Sequence, residues 1–108
     1  MIGDRIIGDK NLDSISTDDI ARPAWWETAE EHRFALEVLQ LGLRRKMLVA
    51  IARSCMSLRQ IEKEFDLSPI QAEYHLSMLE KALVIKQSED GWSVTPTGIL
   101  YLENVERR

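Results

Sequence analysis

Basic side chains in the second half of the chain have the clearest potential for chemistry. Lysine and arginine neutralise phosphate groups, and the counterions released from a nucleic acid supply most of the non-specific affinity. Each such residue is about as often an ordinary solvated surface charge. As a group they predict a local surface that holds a phosphate backbone, and the candidates are Arg44, Arg45, Arg59, Lys63, Lys81 and Lys86.

A second group of side chains follows a helix start and has the chemistry to contact base edges. Glutamine can pair bidentately with adenine, alanine can touch a thymine methyl group, and Glu73 can only accept, for example from cytosine. Residues 68–77 contain no arginine, the residue that most often makes a specific contact to guanine. We therefore expect modest affinity or dependence on dimerisation, with base contacts from Ser68, Gln71, Ala72, Tyr74 and Ser77.

Catalytic and metal-binding chemistry has little support in the sequence. One cysteine and two histidines give no metal-ligand cluster, and no glycine-rich phosphate loop is present. His75 is expected to be a partly buried, hydrogen-bonded histidine rather than a ligand or base. Cys55 is expected to be a small structural residue, with redox sensing as a minor alternative. We expect neither an enzyme nor a bound cofactor.

Length and charge describe one small domain. The chain has 108 residues, of which 44% are hydrophobic and 30% are charged, and its net charge is −4. Residues 1–41 carry nine acidic and four basic side chains, whereas residues 42–108 carry nine acidic and ten basic ones. The longest uncharged apolar stretch, residues 47–52, is too short to span a membrane, and no signal-peptide pattern opens the chain. The sequence predicts a cytoplasmic protein whose basic surface is local.

Apolar spacing predicts the elements that must position these side chains. Residues 1–24 show no sustained period and are predicted to be an arm, either packed on a neighbouring surface or mobile. Residues 25–108 form the predicted domain, which begins with an amphipathic helix over residues 26–41. A second helical stretch follows to Ser54, and Gly42 either breaks or bends the two.

Two helix-start signals define the next elements. Ser57 and Gln60 form a capping-box pattern before a short helix that ends near Phe65. Ser68 and Pro69 are N-cap and first-turn residues of a helix that runs to about residue 82. Its inward side is predicted to carry Ile70, His75, Leu76, Leu79 and Leu83.

The last part of the chain has a hairpin signal followed by another helix start. β-prone residues 84–87 and 92–95 flank Glu89-Asp90-Gly91, which predicts a two-stranded hairpin. Thr95 and Pro96 then repeat the N-cap and first-turn pattern, opening a final helix. The fold class is therefore mainly α with a small β-hairpin.

Residue detail within this order resembles ArsR-type transcriptional regulators. The matching segments are LGLRRKML (41–48), SLRQI (57–61), LSPIQAEYHLSMLEK (67–81) and VTPTG (94–98). The resemblance implies a winged helix-turn-helix domain with an extra N-terminal helix and a C-terminal helix. It also implies a dimeric regulator that lays helix 68–82 in the major groove of double-stranded DNA and touches the backbone with a wing at 84–95. Leu83 stands where the family usually has glycine, and the paired-cysteine helix of its metal sensors is absent.

The remaining expectations concern binding partners. The apolar side chains of the peripheral helices exceed what one small core can bury, so we expect a homodimer built on Trp25, Trp26, Phe34, Leu100 and Tyr101. Intramolecular packing of the two tryptophans is the alternative. The acidic balance and the acidic hairpin tip also allow a winged-helix module that binds protein and not DNA.

Overall fold

The computed structural model describes residues 26–106, and these form five helices and one antiparallel hairpin. The mainly helical class with one small hairpin is confirmed. The predicted arm at residues 1–24 and Trp25 lie outside the described residues. The elements are α1 (Ala29–Val38), α2 (Gly42–Arg53), α3 (Leu58–Phe65), α4 (Pro69–Lys81), β1 (Ile85–Ser88), β2 (Gly91–Val94) and α5 (Pro96–Glu106).

Side-chain caps fix the starts of the later helices, as the sequence predicts. Ser57 and Gln60 form a capping box at the start of α3, in which each side chain accepts from the other's backbone N–H. Ser68 and Gln71 repeat this arrangement at α4. At α5 the Thr95 hydroxyl accepts from the Gly98 N–H at 3.0 Å. These contacts satisfy donors that a helix start would otherwise leave unpaired.

Helix α1 is shorter than the predicted helix over residues 26–41. It begins after Thr28, whose side chain caps it, and its C-cap is Leu39. Leu41 is extended, and α2 begins at Gly42. The helical conformation is therefore interrupted between α1 and α2. Arg45 stabilises the break, because its Nη1 donates to the carbonyls of Leu39 at 2.7 Å and Gln40 at 2.9 Å.

The hairpin strands are displaced by about one residue from their predicted positions. Ile85 pairs with Val94 and Ser88 with Gly91, which leaves Glu89 and Asp90 at the tip. A short bridge widens this sheet, since Met56 exchanges backbone hydrogen bonds with Trp92 at 2.7 and 3.1 Å. The segment between α2 and α3 therefore lies along the free edge of β2.

The core draws on every helix and on the entry to the hairpin. Trp26 joins α1 to the end of α4, because its buried Nε1 donates to the Ala82 carbonyl at 2.7 Å. None of the helices in residues 26–106 is both long and apolar enough to cross a lipid bilayer. The buried side chains include Val38, Leu39, Met47, Leu48, Ile51, Ile61, Leu76, Leu79, Val84 and Ile85.

The turn that leaves α4 is built on a left-handed leucine. Leu83 has φ 70°, a conformation that favours glycine. Its carbonyl accepts from the Thr95 hydroxyl at 2.7 Å, which ties the turn to the start of α5. The prediction that Leu83 faces inward is wrong, since 43% of its side chain is exposed.

Candidate nucleic-acid interface

A cleft with two cations lies between α3 and the start of α4. Arg59 and Lys63 are one helical turn apart on α3 and both are exposed. They line a cleft of about 590 Å³ together with Leu58, Glu62 and Pro69, the first residue of α4. The structure thus brings two of the predicted phosphate-binding residues to the N-terminal end of one helix.

Helix α4 presents an exposed stripe along its length. At 100° per residue, Ile70, Tyr74, Ser77 and Lys81 share one side of the helix. Ile70 is 80% exposed and Tyr74 is 54% exposed, whereas Ser77 is half-buried. We call this set the α4 stripe. It is the outward face of α4.

Two predictions about the facing of α4 are wrong. Ile70 was expected to face inward but is exposed, and Ala72 was expected to contact a base but is fully buried. The spacing to Leu79 explains both results: Ile70 precedes Leu79 by two and a half turns and Ala72 by two. Residues two turns apart share a face, while an extra half-turn places a side chain on the opposite face.

Ser68 and Gln71 are held by the helix cap. The Gln71 Oε1 accepts from the Ser68 N–H at 3.0 Å, and the Ser68 hydroxyl accepts from the Gln71 N–H at 3.2 Å. The bidentate pairing with adenine that was predicted for Gln71 needs this same oxygen. While the cap is closed, the NH₂ group of Gln71 and the second lone pair of its Oε1 remain available to a base.

Arg44 is an interior residue. Only 8% of it is exposed, its Nη1 donates to the Val38 carbonyl at 3.3 Å, and its guanidinium lies 5.4 Å from the centre of the Tyr74 ring. The prediction that Arg44 is an exposed phosphate contact is wrong. It precedes the buried Leu48 by four residues, so it lies on the inward face of α2.

His75 is the partner of Arg44 on α4. The Arg44 Nε donates to the His75 Nδ1 at 3.1 Å, and the Tyr74 ring meets the imidazole edge-on at 5.3 Å. Burial lowers the pKa of His75 below its ordinary value of 6.5, and the charge of Arg44 lowers it further. The prediction of a partly buried, hydrogen-bonded histidine is confirmed.

The remaining predicted cations are dispersed. Arg45 is exposed but its guanidinium caps α1. Lys81 is the exposed last residue of α4, and Lys86 is exposed on β1 opposite Ser93. These three residues therefore lie on elements other than α3, on which Arg59 and Lys63 are one helical turn apart.

Acidic side chains line the cleft between α4 and the hairpin. Glu73 and Glu80 are two turns apart on α4 and are both exposed. They border a cleft of about 410 Å³ with Ser77, Gln87 and Trp92 among the other lining residues. The surface of α4 is thus flanked by cations on the α3 side and by carboxylates on the hairpin side.

Two residues expected at a dimer interface are buried within the chain. Trp26 is 6% exposed and Tyr101 is 9% exposed, with their rings edge-to-face at 6.5 Å. Trp26 also stacks on His32 at 5.0 Å. The intramolecular alternative for Trp26 is therefore correct, while Phe34 and Leu100 are only partly buried.

A separate apolar groove lies between α2, α3 and α5. Its volume is about 500 Å³, and its apolar lining includes Val49, Phe65, Leu102 and Val105. Basic side chains from α2, namely Arg45, Lys46 and Arg53, border it. This groove is therefore an apolar recess with positive charge on its α2 side.

Cys55 lies outside all three recesses. Its exposed thiol is 3.3 Å from the Ser88 hydroxyl and accepts from the Ser93 hydroxyl at 3.6 Å. Within residues 26–106, no three histidine, cysteine or acidic side chains lie close enough to hold a metal ion. The thiol therefore belongs to a small polar cluster beside the hairpin.

Comparison with protein families, curated proteins and solved structures finds no significant match to this chain. The functional conclusion therefore rests on the geometry of the described residues. The α3–α4 cleft and the α4 stripe are the features of that geometry with the clearest chemistry.

Proposed function

We propose that this chain is a sequence-specific DNA-binding transcriptional regulator with a winged helix-turn-helix fold. In this proposal α4 is the recognition helix in the major groove, and the β1–β2 hairpin is a wing that contacts the backbone. The observation that carries it is the pair Arg59 and Lys63 beside Pro69, at the start of a helix with an exposed outward stripe.

The arrangement suits a duplex on physical grounds. In a helix-turn-helix the first helix crosses the phosphate backbone while the second enters the major groove. Arg59 and Lys63 on α3 can neutralise phosphates where the N-terminal end of α4, with its partial positive charge, approaches the same backbone. Phosphate contacts fix the register, and the α4 stripe then meets the base edges.

The layout around these helices supports the same proposal. Helix α3, a three-residue connection and α4 precede a hairpin in which Met56 pairs with Trp92 at the outer edge of β2. This is the order expected of a winged helix, and it agrees with the ArsR-like residue pattern. The left-handed turn at Leu83 gives the chain the conformation that a glycine would supply at that position.

The test is fluorescence anisotropy with a random-sequence duplex at a series of salt concentrations. Each phosphate contact contributes about 0.9 to the slope of log affinity against log salt. Replacing both cations, in the variant Arg59→Ala/Lys63→Ala, should therefore weaken binding and reduce the slope by about 1.8. Arg33→Ala removes one exposed cation from α1 and is the control for each single replacement, Arg59→Ala or Lys63→Ala.

Either of two results would overturn the DNA-binding proposal. One is the absence of binding at low salt, where electrostatic attraction is strongest. The other is a loss of affinity in the Arg33→Ala control equal to that of either single replacement, which would assign the attraction to general charge and not to the α3–α4 cleft.

The proposal includes a homodimer whose interface is the apolar groove between α2, α3 and α5. The side chains of Trp26 and Tyr101 are buried by packing within the chain, whereas Val105 is 41% exposed at the groove. A second copy that covers this apolar lining would bury surface that is otherwise in water. Light scattering on Val105→Glu should give a monomer where the wild type gives a dimer.

The second candidate function is a winged-helix module that binds protein and not DNA. The observation that favours it is the pair of carboxylates, Glu73 and Glu80, along the cleft beside α4. Carboxylates repel phosphate and attract a basic partner. The anisotropy experiment separates the two functions, because the protein-binding module would leave the duplex unbound at low salt.

A further inference from the structure

Ile70 is the most exposed large apolar side chain among the described residues. It is the second residue of α4, follows Pro69 of the α3–α4 cleft, and keeps 80% of its surface in water. Single exposed apolar side chains are common. Ile70, however, has Tyr74 one turn further along the same face, and Tyr74 is 54% exposed.

The position of Tyr74 is set from the protein interior. Its ring lies against the Arg44 guanidinium, which is itself held by Val38 and His75. Ile70 and Tyr74 thus lie on one face of α4, and Ile70 directly follows Pro69, which lines the cleft with Arg59 and Lys63. A phosphate backbone held by Arg59 and Lys63 would bring base edges towards this pair.

At the start of α4 the capping box uses side-chain acceptors and leaves the Ser68 hydroxyl proton and the Gln71 NH₂ group as donors. Ser68 and the Gln71 oxygen are engaged in the capping box, and Ala72 is buried. Apolar contact by the exposed Ile70 gives this turn a way to distinguish bases that these polar groups do not supply. In the major groove the apolar group that marks a base pair is the C5 methyl of thymine.

We infer that Ile70, with Tyr74 beside it, reads thymine methyl groups and makes Ile70 a specificity-determining residue. The inference rests on the proposed DNA-binding function and adds the class of base pair that α4 selects. A duplex is favoured over an apolar protein partner as the occupant of this face because the exposed cations Arg59 and Lys63 lie on its α3 side, while the carboxylates Glu73 and Glu80 lie on its hairpin side.

The test compares two duplexes that differ only in methyl groups. Both are about two helical turns long; one alternates adenine and thymine, and the other carries deoxyuridine in place of every thymidine. Every base pair of the first duplex offers a methyl group, so any binding register presents one to Ile70. We expect the thymine duplex to bind about fourfold more tightly for each contacted methyl group.

Three variants assign the preference to a residue. Ile70→Ala should bring the ratio of the two affinities close to one, without loss of stability, because the side chain is exposed. Ile99→Ala makes the same change on α5, where Ile99 is 43% exposed, and should preserve the ratio. Arg59→Ala should weaken both duplexes equally and also preserve the ratio.

The outcomes distinguish this inference from the function on which it rests. If neither duplex binds at low salt, the DNA-binding function fails and the inference fails with it. If both bind with equal affinity, or if Ile70→Ala keeps the wild-type ratio, DNA binding stands and methyl reading by Ile70 is overturned.

Discussion

The Arg44 Nε donates a hydrogen bond to the His75 Nδ1 across 3.1 Å, and this contact joins α2 to α4 inside the protein. The same guanidinium donates to the Val38 carbonyl near the end of α1. A single side chain thus connects three helices, one of which is the proposed recognition helix. An arginine that was expected to meet phosphates instead fixes the position of the helix that we propose meets the bases.

Replacing Arg44 should therefore change stability. In Arg44→Ala the His75 nitrogen and the Val38 carbonyl lose a charged donor, which should lower the free energy of unfolding by about 2 kcal/mol. Urea denaturation measures the change. Lys46→Ala removes an exposed cation from the same helix and should cost less than about 0.5 kcal/mol. Equal losses in the two variants would contradict an interior role for Arg44.

Acid should destabilise the protein through His75. Because burial and the Arg44 charge hold its pKa in the folded protein below the ordinary 6.5, the unfolded chain binds the proton more readily. The contribution of neutral His75 is fully present above pH 6.5 and is lost as the pH falls through the folded-state pKa. Denaturation between about pH 7 and about pH 5 measures it.

The control for this pH dependence is His75→Gln, which can accept from Arg44 and does not titrate. It retains His32, so the difference between the two pH profiles belongs to His75. We expect the variant to lose less stability on acidification than the wild type. Parallel profiles would show that protonation of His75 has no part in the loss.

Gly98 should be intolerant of any side chain. A Cβ atom at Gly98 would collide with the Val84 carbonyl, which belongs to backbone that cannot yield easily. Gly98→Ala should therefore lower the free energy of unfolding by about 1 to 3 kcal/mol. Gly42→Ala is the matched control, since the new Cβ would lie 3.5 Å from the flexible end of Arg45. A loss of similar size at Gly42 would rule out the close approach as the cause.

The cap of the proposed recognition helix should be measurable by itself. Ser68→Ala removes the acceptor for the Gln71 N–H and should destabilise the protein by about 1 kcal/mol. Ser68→Asp keeps an acceptor at the N-cap and should restore most of that stability. Thermal denaturation of the two variants compares them directly. If Ser68→Asp is as unstable as Ser68→Ala, the hydroxyl has another role.

The starts of α3, α4 and α5 were predictable because their caps are local, whereas the start of α1, which was predicted at Trp26, lies after Thr28. Ser57 with Gln60, Ser68 with Gln71, and Thr95 act within a few residues, so their patterns can be read directly in the sequence. The end of α1 was misplaced, since the apolar spacing continues past Leu39 while the chain turns there. That turn depends on Arg45, whose hydrogen bonds to α1 are not visible in a spacing pattern.

Which helical residues face inward and which face outward could be predicted in part from the sequence. The distance of Ile70 and Ala72 from Leu79 already separates an outward from an inward residue, and Arg44 shares the spacing of Leu48 and Ile51. The hydrogen bond between Arg44 and His75 could not be predicted from the sequence, because it joins residues on separate helices. Burial of Trp26 against Ala82 depends on tertiary packing in the same way.

The bridge between Met56 and Trp92 has a consequence for the order of folding. An isolated two-stranded hairpin is only marginally stable in water. Here its edge is held by a segment from a distant part of the chain, and Gly91 must bring its bare backbone against the Met56 carbonyl for the bridge to close. During folding, the backbone amides of the hairpin should therefore become protected from hydrogen exchange only after α2 and α3 have assembled. In hydrogen exchange, the Trp92 amide should become protected together with the helices and not with the strand tips.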